Sequence, residues 1–170
     1  MLFRSSHAFF VWYLSEPKEK RYGIDINVDH IALCETNKDG NIVLIKKYPI
    51  HKENTKNKRN EELYQLAIEI MEQCKSKKKS LVVEDLNFKQ LKTRMLYRPK
   101  KENKTLSSFA YKKILEKVER KCLMNEVDVI KADPRNTSKI GKEKYTKIKG
   151  LSVHYCAAYV INRRGMGFVD

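Results

Sequence analysis

Two carboxylates stand inside apolar runs that have the composition of buried strands. Asp25 lies between isoleucines in "GIDIN", and Glu84 closes the run "LVVE". A lone buried carboxylate costs several kcal/mol unless it is paired, hydrogen-bonded or bound to a cation. Adjacent strands of one sheet would bring the two close enough to share a divalent ion, and hard oxygen ligands suit Mg²⁺ or Mn²⁺. Such an ion beside a basic surface indicates phosphodiester cleavage.

A histidine is the third candidate for this site. In "LSVHYCAAYVINRRGMGF" (151–168), His154 falls on one helical face with Ala157, Ala158 and Ile161. The small residues permit a close approach to a sheet, so the imidazole is predicted to point toward the strands. In the first helical turn the dipole disfavours protonation, which predicts a neutral ring able to bind metal. The alternative is a core histidine hydrogen-bonded to a backbone carbonyl.

The charge balance indicates the partner. The chain carries 36 Lys and Arg against 21 Asp and Glu, a formal net charge of +15. A surplus of this size favours nucleic acid, and no segment combines an apolar and a basic face strongly enough to favour a membrane surface. Phosphate contacts are expected from basic residues in two loops and one helix end. These are Lys89, Lys92, Arg94, Arg98, Lys100, Lys101, Arg135, Lys139, Lys142, Lys144, Lys147, Arg163 and Arg164.

The cysteines form no recognisable framework. Cys34, Cys74, Cys122 and Cys156 are scattered, with no C-x-x-C pair, so neither a zinc ribbon nor a disulfide set is expected. They fit apolar strand and helix faces, which predicts reduced core residues of a cytoplasmic protein. The apolar stretch 7–14 is too short to span a membrane, and it is interpreted as a strand or the remnant of a preceding element.

The patterns along the chain predict a mixed sheet with helices packed on it. Residues 21–50 contain three strand-like runs, the last two joined by the turn "NKDG". From Glu61 the spacing becomes helical, and further strands are predicted at 80–86 and 127–133 around a helix at 106–126. The residues predicted to face inward from the two helices are Leu63, Leu66, Ala67, Ile70, Met71, Cys74, Phe109, Tyr111, Ile114, Leu115, Val118 and Cys122. Basic loops are expected at 51–60, 87–105 and 134–150. Asp29 and Asp85 are interpreted as strand acids that face solvent.

Four segments, in their order along the chain, resemble those of a known family. "YGIDIN", "LVVEDL", "ADPRNTSK" and "AAYVINRRGMGF" together are similar to the RuvC-like nuclease domain of TnpB-type proteins, the OrfB accessory or transposase products of insertion sequences. The resemblance covers about residues 20–168. It implies an RNase H-like α/β fold with a mixed five-stranded sheet at 21–170, after an N-terminal element at 1–20. It also implies that Asp25 and Glu84 are the first two metal ligands.

Two departures from the family pattern concern the site. The family's zinc ribbon follows the Thr-Ser of the third motif, and here only residues 139–150 separate Ser138 from the last helix. The family's third acid aligns with His154, which implies either a ligand of another type or the loss of a ligand. Asp133, at the end of the last strand, is held as a reserve carboxylate. The resemblance begins at about residue 20 and does not include the long N-terminal part with which full-length relatives grip guide RNA and target DNA, so a truncated form, a fragment or a distinct short branch is expected.

The leading hypothesis is therefore a transposon-associated, Mg²⁺- or Mn²⁺-dependent DNA endonuclease domain without zinc. Asp25, Glu84 and His154 would be its catalytic and metal-binding residues, with His154 either a ligand or a base that positions water. DNA is the expected partner and guide RNA a further one, in a cytoplasmic, nucleoid-associated protein of bacterial type whose oligomeric state stays open. The alternative is a catalytically inactive RuvC-like module that binds DNA or RNA. A truncated product with neither property is the third reading.

Overall fold

The computed structural model describes residues 20–27, 29–51, 55–86 and 108–170. The predictions for residues 1–19 and 87–107 lie outside this part of the chain. The strands are β1 (Arg21–Ile26), β2 (His30–Thr36), β3 (Ile42–Pro49), β4 (Ser80–Glu84) and β5 (Val129–Ala132). The helices are α1 (Lys56–Ser76), α2 (Ser108–Met124), α3 (Thr137–Ile140), a π-helix (Gly141–Tyr145), α4 (Thr146–Lys149) and α5 (Val153–Gly165).

The five strands form one mixed sheet in the order β3-β2-β1-β4-β5. The first three strands pair antiparallel as a meander, whereas β4 pairs parallel with β1 and β5 parallel with β4. The parallel pairs require crossover connections, which α1 and α2 supply. This arrangement confirms the predicted mixed five-stranded sheet with helices packed on it.

Helices cover both faces of the sheet. One face of β1, with Tyr22 and Ile24, packs with the buried residues of α1 and α2 in the main core. The predicted inward residues of these helices are buried: Leu63, Leu66, Ala67, Ile70, Met71, Cys74, Ile114, Leu115, Val118 and Cys122. The side chains of Phe109 and Tyr111, also predicted inward, lie outside the described part. The opposite face of β1, with Gly23 and Asp25, lies under α5, since successive strand residues alternate between faces.

Helix α5 approaches the sheet very closely. A Cβ atom on Gly23 would lie 2.5 Å from the backbone oxygen of Ala158, so only glycine fits there. Asn162 is fully buried, and its Nδ2 donates to the carbonyls of Arg21 at 2.8 Å and Cys34 at 3.1 Å. Ala157 and Ala158 are fully buried as well. The predicted close contact between the Ala-Ala helix and the strands is confirmed.

Two segments predicted as loops contain helices. Helix α1 begins at Lys56, because Thr55 caps it by accepting a hydrogen bond from the Lys58 backbone N–H. The segment predicted as a basic loop at 134–150 is helical from Thr137 to Lys149. This segment is rich in charged residues and has no repeat of apolar residues at helical spacing. Tertiary contact stabilises its helical structure instead. A Cβ atom on Gly141 would lie 2.9 Å from the Ala157 nitrogen, so this segment packs directly on α5.

The cysteine prediction is confirmed. All four cysteines are free and buried, and burial raises the pKa of each thiol. They therefore pack as small apolar residues. Within the described ranges, no helix is both long and apolar enough to cross a membrane.

Candidate active site

The register of the sheet places the two predicted carboxylates side by side. In the parallel β1–β4 pair, Arg21 lies opposite Ser80 and Gly23 opposite Val82. Continuing this register by two residues puts Asp25 next to Glu84, and the charge of Asp25 acts on the Glu84 carboxyl. Neighbouring strands are about 4.8 Å apart, and both side chains are on the α5 face. The structure therefore brings together the two acids that the sequence analysis singled out, at the carboxyl ends of two adjacent parallel strands.

Asp25 is buried, with 9% of its surface exposed. Two side chains contact its carboxylate, and both contact the oxygen Oδ2. Asn27 Nδ2 donates to Oδ2 at 2.9 Å, and His154 Nδ1 lies 3.4 Å from that atom. Asn27 follows directly after β1, so the strand end supplies its own support for the carboxylate. These contacts hold the Asp25 carboxylate in one orientation.

Glu84 is half-buried and carries a strongly shifted pKa. Burial raises the pKa of Glu84 to about 7; the hydrogen bond from Thr137 opposes this rise, and the charge of Asp25 adds to it. Thr137 Oγ1 donates to Glu84 Oε1 at 2.6 Å, and the chain that follows β5 positions it. Since β4 and β5 pair with Glu84 opposite Ala132, Thr137 reaches Glu84 from the neighbouring strand end.

We expect the Thr137→Val variant to raise the Glu84 pKa above its already elevated value. The hydrogen bond from Thr137 stabilises the charged carboxylate, so its removal favours the protonated form. The measurement is a carboxyl-carbon NMR titration of the metal-free protein. Thr146→Val is the matched control, because Thr146 donates to the Lys142 carbonyl on the same helical segment. Equal Glu84 pKa values in wild type and Thr137→Val would contradict this role of Thr137.

His154 lies at the start of α5, where Ser152 caps the helix by accepting from the Tyr155 N–H. Contrary to the predicted effect of the helix dipole, the pKa of this ring is raised and not lowered. The interaction with Asp25 raises the pKa of His154 above its usual value of 6.5 and outweighs burial. The Asp25 carboxylate oxygen Oδ2 lies 3.4 Å from His154 Nδ1. The alternative of a histidine bonded to a backbone carbonyl is not what the structure shows.

A second histidine, which the sequence analysis missed, supports His154. His30 is 6% exposed at the start of β2, and its ring packs edge-to-face on His154 with centroids 5.0 Å apart. Its Nδ1 lies 2.9 Å from Asp29 Oδ1. The sequence signal was the pair "DH" at the beginning of a strand, directly after "GIDIN" and its following valine. The two solvent-facing acids, Asp29 and Asp85, are exposed as predicted.

The donor set fits a divalent cation at Asp25 and Glu84. Two carboxylates stand side by side in a half-buried position, and the Asp25 charge itself raises the Glu84 pKa. Bringing a hard cation between them would relieve that repulsion, and oxygen ligands are what Mg²⁺ and Mn²⁺ prefer. Across the described ranges, no three Asp, Glu, His or Cys side chains are already grouped for one ion.

The reserve carboxylate of Asp133 is engaged elsewhere. Arg135 Nε donates to Asp133 Oδ2 at 2.7 Å, and the Arg135 backbone N–H donates to Oδ1 at 3.0 Å. These bonds lower the pKa of Asp133 to about 2. Arg164 binds the same loop, donating to the carbonyls of Asp133 at 2.6 Å and Arg135 at 2.7 Å. Asp133 and Arg164 thus anchor the loop that carries Thr137.

The basic residues predicted to bind phosphate fall into three groups. Those from Lys89 to Lys101 lie outside the described ranges. Arg135 and four lysines of the helical segment are exposed: Lys139, Lys142, Lys144 and Lys147. Arg163 is different, since its side chain is 17% exposed, pairs with Asp170 at 2.6 Å and lies over the rings of Tyr159 and Phe168. It fastens the residues after α5, and Arg164 is likewise engaged within the protein, through the carbonyls of Asp133 and Arg135.

Comparison with known proteins identifies the fold. No family model and no curated protein sequence matches the chain. A structure of T. thermophilus RuvC in complex with Holliday junction substrate matches with a TM-score of 0.58 at 14% identity, covering 86% of this chain and 90% of that chain. A second Thermus thermophilus RuvC structure matches with a TM-score of 0.56 at 15% identity, covering 86% and 92%. The protein therefore has the RuvC-like, RNase H-like α/β fold that the resemblance implied.

Proposed function

We propose that the protein is a divalent-metal-dependent endonuclease domain of TnpB-like kind that cleaves phosphodiester bonds in DNA. The observation that carries the proposal is the closeness of Asp25 and Glu84 on one face of a RuvC-like sheet, which follows from continuing the β1–β4 register by two residues and from the effect of the Asp25 charge on Glu84. The net charge of +15 supports a polyanionic substrate. One RuvC structure with this fold is a complex with Holliday junction substrate, which also supports nucleic acid as the partner.

Asp25 and Glu84 would hold Mg²⁺ or Mn²⁺. A bound ion of this kind polarises a phosphate and lowers the pKa of a water molecule. Asn27 fixes the Asp25 carboxylate through a 2.9 Å hydrogen bond, and Thr137 fixes Glu84 through one of 2.6 Å. The protein thus supplies a pre-oriented pair of oxygen ligands on rigid strands.

His154 would position the attacking water or complete the ligand set. Its Nδ1 is directed at Asp25, which leaves Nε2 to accept a proton or to bind a ligand. About half of the His154 side chain is exposed, so solvent and substrate have access to the ring. The edge-to-face contact with His30 restrains its orientation.

The TnpB-like assignment rests on the third and fourth motifs of the resemblance. Thr137 of "ADPRNTSK" donates to Glu84, and Arg164 of "AAYVINRRGMGF" donates to the carbonyls of Asp133 and Arg135. Thr137 and Arg164 thus both act on Glu84, the first by a hydrogen bond and the second by its charge, as expected if the two motifs belong to a single site. Association with a mobile element and use of guide RNA are further parts of this proposal.

The test is a nicking assay on supercoiled plasmid and on labelled single-stranded DNA and RNA. We expect the wild-type protein to cleave DNA in Mn²⁺ or Mg²⁺ and to be inactive in EDTA. Cleavage that persists in EDTA would exclude a metal-dependent site. Preference for RNA would retain the metal site and overturn the DNA assignment.

A second candidate is a catalytically inactive RuvC-like module that binds DNA or RNA. It is favoured by one observation, the histidine at the position of the family's third acid. Salt-sensitive binding of nucleic acid, without detectable Mn²⁺ binding in calorimetry, would select this candidate over the nuclease.

A further inference from the structure

Strand β3 carries a lysine in the same row of the sheet as the two carboxylates. The antiparallel pairs place Lys47 opposite Ala32, and Ala32 opposite Asp25. Continuing the β1–β4 register by two residues extends the row to Glu84, on whose carboxyl the Asp25 charge acts. A line drawn across four strands therefore passes through Lys47, Ala32, Asp25 and Glu84 in turn.

Lys47 lies on the same face of the sheet as the candidate site. Ile45, two residues earlier, packs with Ala158 and Tyr159 on the α5 side. Side chains two residues apart share a face, so Lys47 is also on the α5 side. Its neighbour Lys46 is on the opposite face, where its ammonium lies 4.4 Å from the centre of the Tyr48 ring.

Nothing bulky separates Lys47 from Asp25 along this row. The residue between them is Ala32, whose side chain is a single methyl group. The positive charge of Lys47 acts on His154, since it lowers the His154 pKa against the effect of Asp25. Lys47 is exposed, and in the described part of the chain no carboxylate forms an ion pair with it.

Distance decides what Lys47 can contact. Two strand spacings place its backbone about 10 Å from that of Asp25, too far for a direct ion pair with a short carboxylate. A lysine at this separation suits an anion that extends away from the carboxylate pair, as the next phosphate of a polynucleotide does.

We propose that Lys47 binds the backbone phosphate next to the one held at Asp25 and Glu84, so that the substrate strand crosses the sheet along this row. The inference rests on the proposed nuclease function and adds to it a substrate path. Lys47 positions the substrate strand and takes no part in the reaction itself, because it lies away from the reacting phosphate.

Edge strands also carry lysines that discourage pairing with other chains. That role does not depend on which face of the strand the lysine occupies, so Lys46 performs it equally well. Lys46 is therefore the matched control: it is adjacent, exposed, identical in charge and on the other face.

The experiment compares Lys47→Gln, Lys46→Gln and Lys47→Arg with wild type. Binding of a fluorescent single-stranded DNA oligonucleotide is followed by anisotropy over a range of salt concentrations, and Mn²⁺-dependent nicking is measured in parallel. We expect Lys47→Gln to weaken binding roughly fivefold, the size of one exposed charge contact. The slope of log K against log salt should fall by about 0.7, the value for one phosphate of a single strand. We expect Lys47→Gln to raise KM for nicking and to leave kcat unchanged. Lys47→Arg should restore the wild-type values of DNA binding and of KM.

The outcomes separate the two proposals. Equal effects of Lys47→Gln and Lys46→Gln would overturn the role of Lys47, and nicking by the wild type would still support the nuclease. A slope that depends on Lys47 but not on Lys46, in a wild-type protein that does not nick, would support Lys47 and overturn the nuclease. Wild-type binding that is insensitive to salt would overturn the phosphate contact itself. Thermal unfolding of each variant checks that these exposed substitutions leave the fold intact.

Discussion

The Asp25→Asn variant is expected to lose nicking by about 10²-fold or more, the range seen when a charge-stabilising group is removed from an active site. Asparagine has nearly the same shape and can still accept a hydrogen bond from Asn27, which donates to Asp25 Oδ2 at 2.9 Å. It removes the negative charge that a divalent cation requires. The nicking assay in Mn²⁺ measures the loss directly.

Metal binding gives a readout that does not depend on activity. A ligand that binds only the folded state stabilises it by about 2.7 kcal/mol when its concentration is a hundred times Kd. Saturating Mn²⁺ should therefore raise the Tm of the wild type and leave that of Asp25→Asn almost unchanged. The Asp39→Asn control makes the same chemical change in the exposed β2–β3 turn and should keep the full rise.

In the metal-free protein the same substitution has a second effect. The Asp25 charge raises the Glu84 pKa, so its removal should bring that pKa down from about 7. An unchanged Glu84 pKa would show that the two carboxylates do not interact. Wild-type nicking activity in Asp25→Asn would contradict the assignment of Asp25 to the active site.

The second large effect is expected at a buried ion pair on the other side of the sheet. Lys79 Nζ binds Glu35 Oε1, and only 8% and 7% of the two side chains are exposed. The Tyr22 hydroxyl donates to the other Glu35 oxygen at 2.9 Å. Lys79→Met leaves Glu35 buried without its cation, which costs about 3–5 kcal/mol. For a chain of this size, that lowers Tm by roughly 10 °C.

The pH dependence of this effect has a defined sign. Burial alone would raise the pKa of Glu35, but hydrogen bonds from Lys79 and Tyr22 outweigh it and lower the pKa below 4.5. In the wild type, the stability from this group is complete above the unfolded-state pKa and is lost as pH falls through the folded-state pKa. In Lys79→Met, burial dominates and the pKa rises, so the destabilisation is largest near neutral pH. The Tm difference between the two proteins should narrow as pH falls from neutral through the raised Glu35 pKa of the variant toward the lowered Glu35 pKa of the wild type.

Two variants test the cause. Lys77→Met removes an exposed lysine nearby and should change Tm by little. The double variant Lys79→Met/Glu35→Leu removes both charges and should recover most of the lost stability, because a buried pair can be replaced by apolar residues at small cost. A double variant as unstable as the single one would show that shape, rather than the unpaired carboxylate, causes the loss.

Local periodicity was sufficient to predict most of the elements. The strand-like runs in 21–50 and the turn "NKDG" predicted the first three strands, and the helical spacing from Leu63 to Cys74 predicted the buried face of α1. These patterns are short-range, since they follow from strand and helix geometry and from which residues must avoid water. The helical segment from Thr137 to Lys149 was missed because its order comes from contact with α5 rather than from an apolar period.

By itself, the sequence determined which residue types are available for chemistry. Asp25 and Glu84 stand in apolar runs where only pairing or a cation makes a carboxylate tolerable, and this is visible without coordinates. Only the tertiary structure decided how they meet. The parallel register that puts them side by side, the His30 contact on His154 and the row from Lys47 to Glu84 join residues up to 124 positions apart in the chain. Such pairings are set by the whole sheet and its covering helices, so no local window of sequence contains them. The raised pKa of His154 has the same origin, because its cause is a carboxylate on another strand.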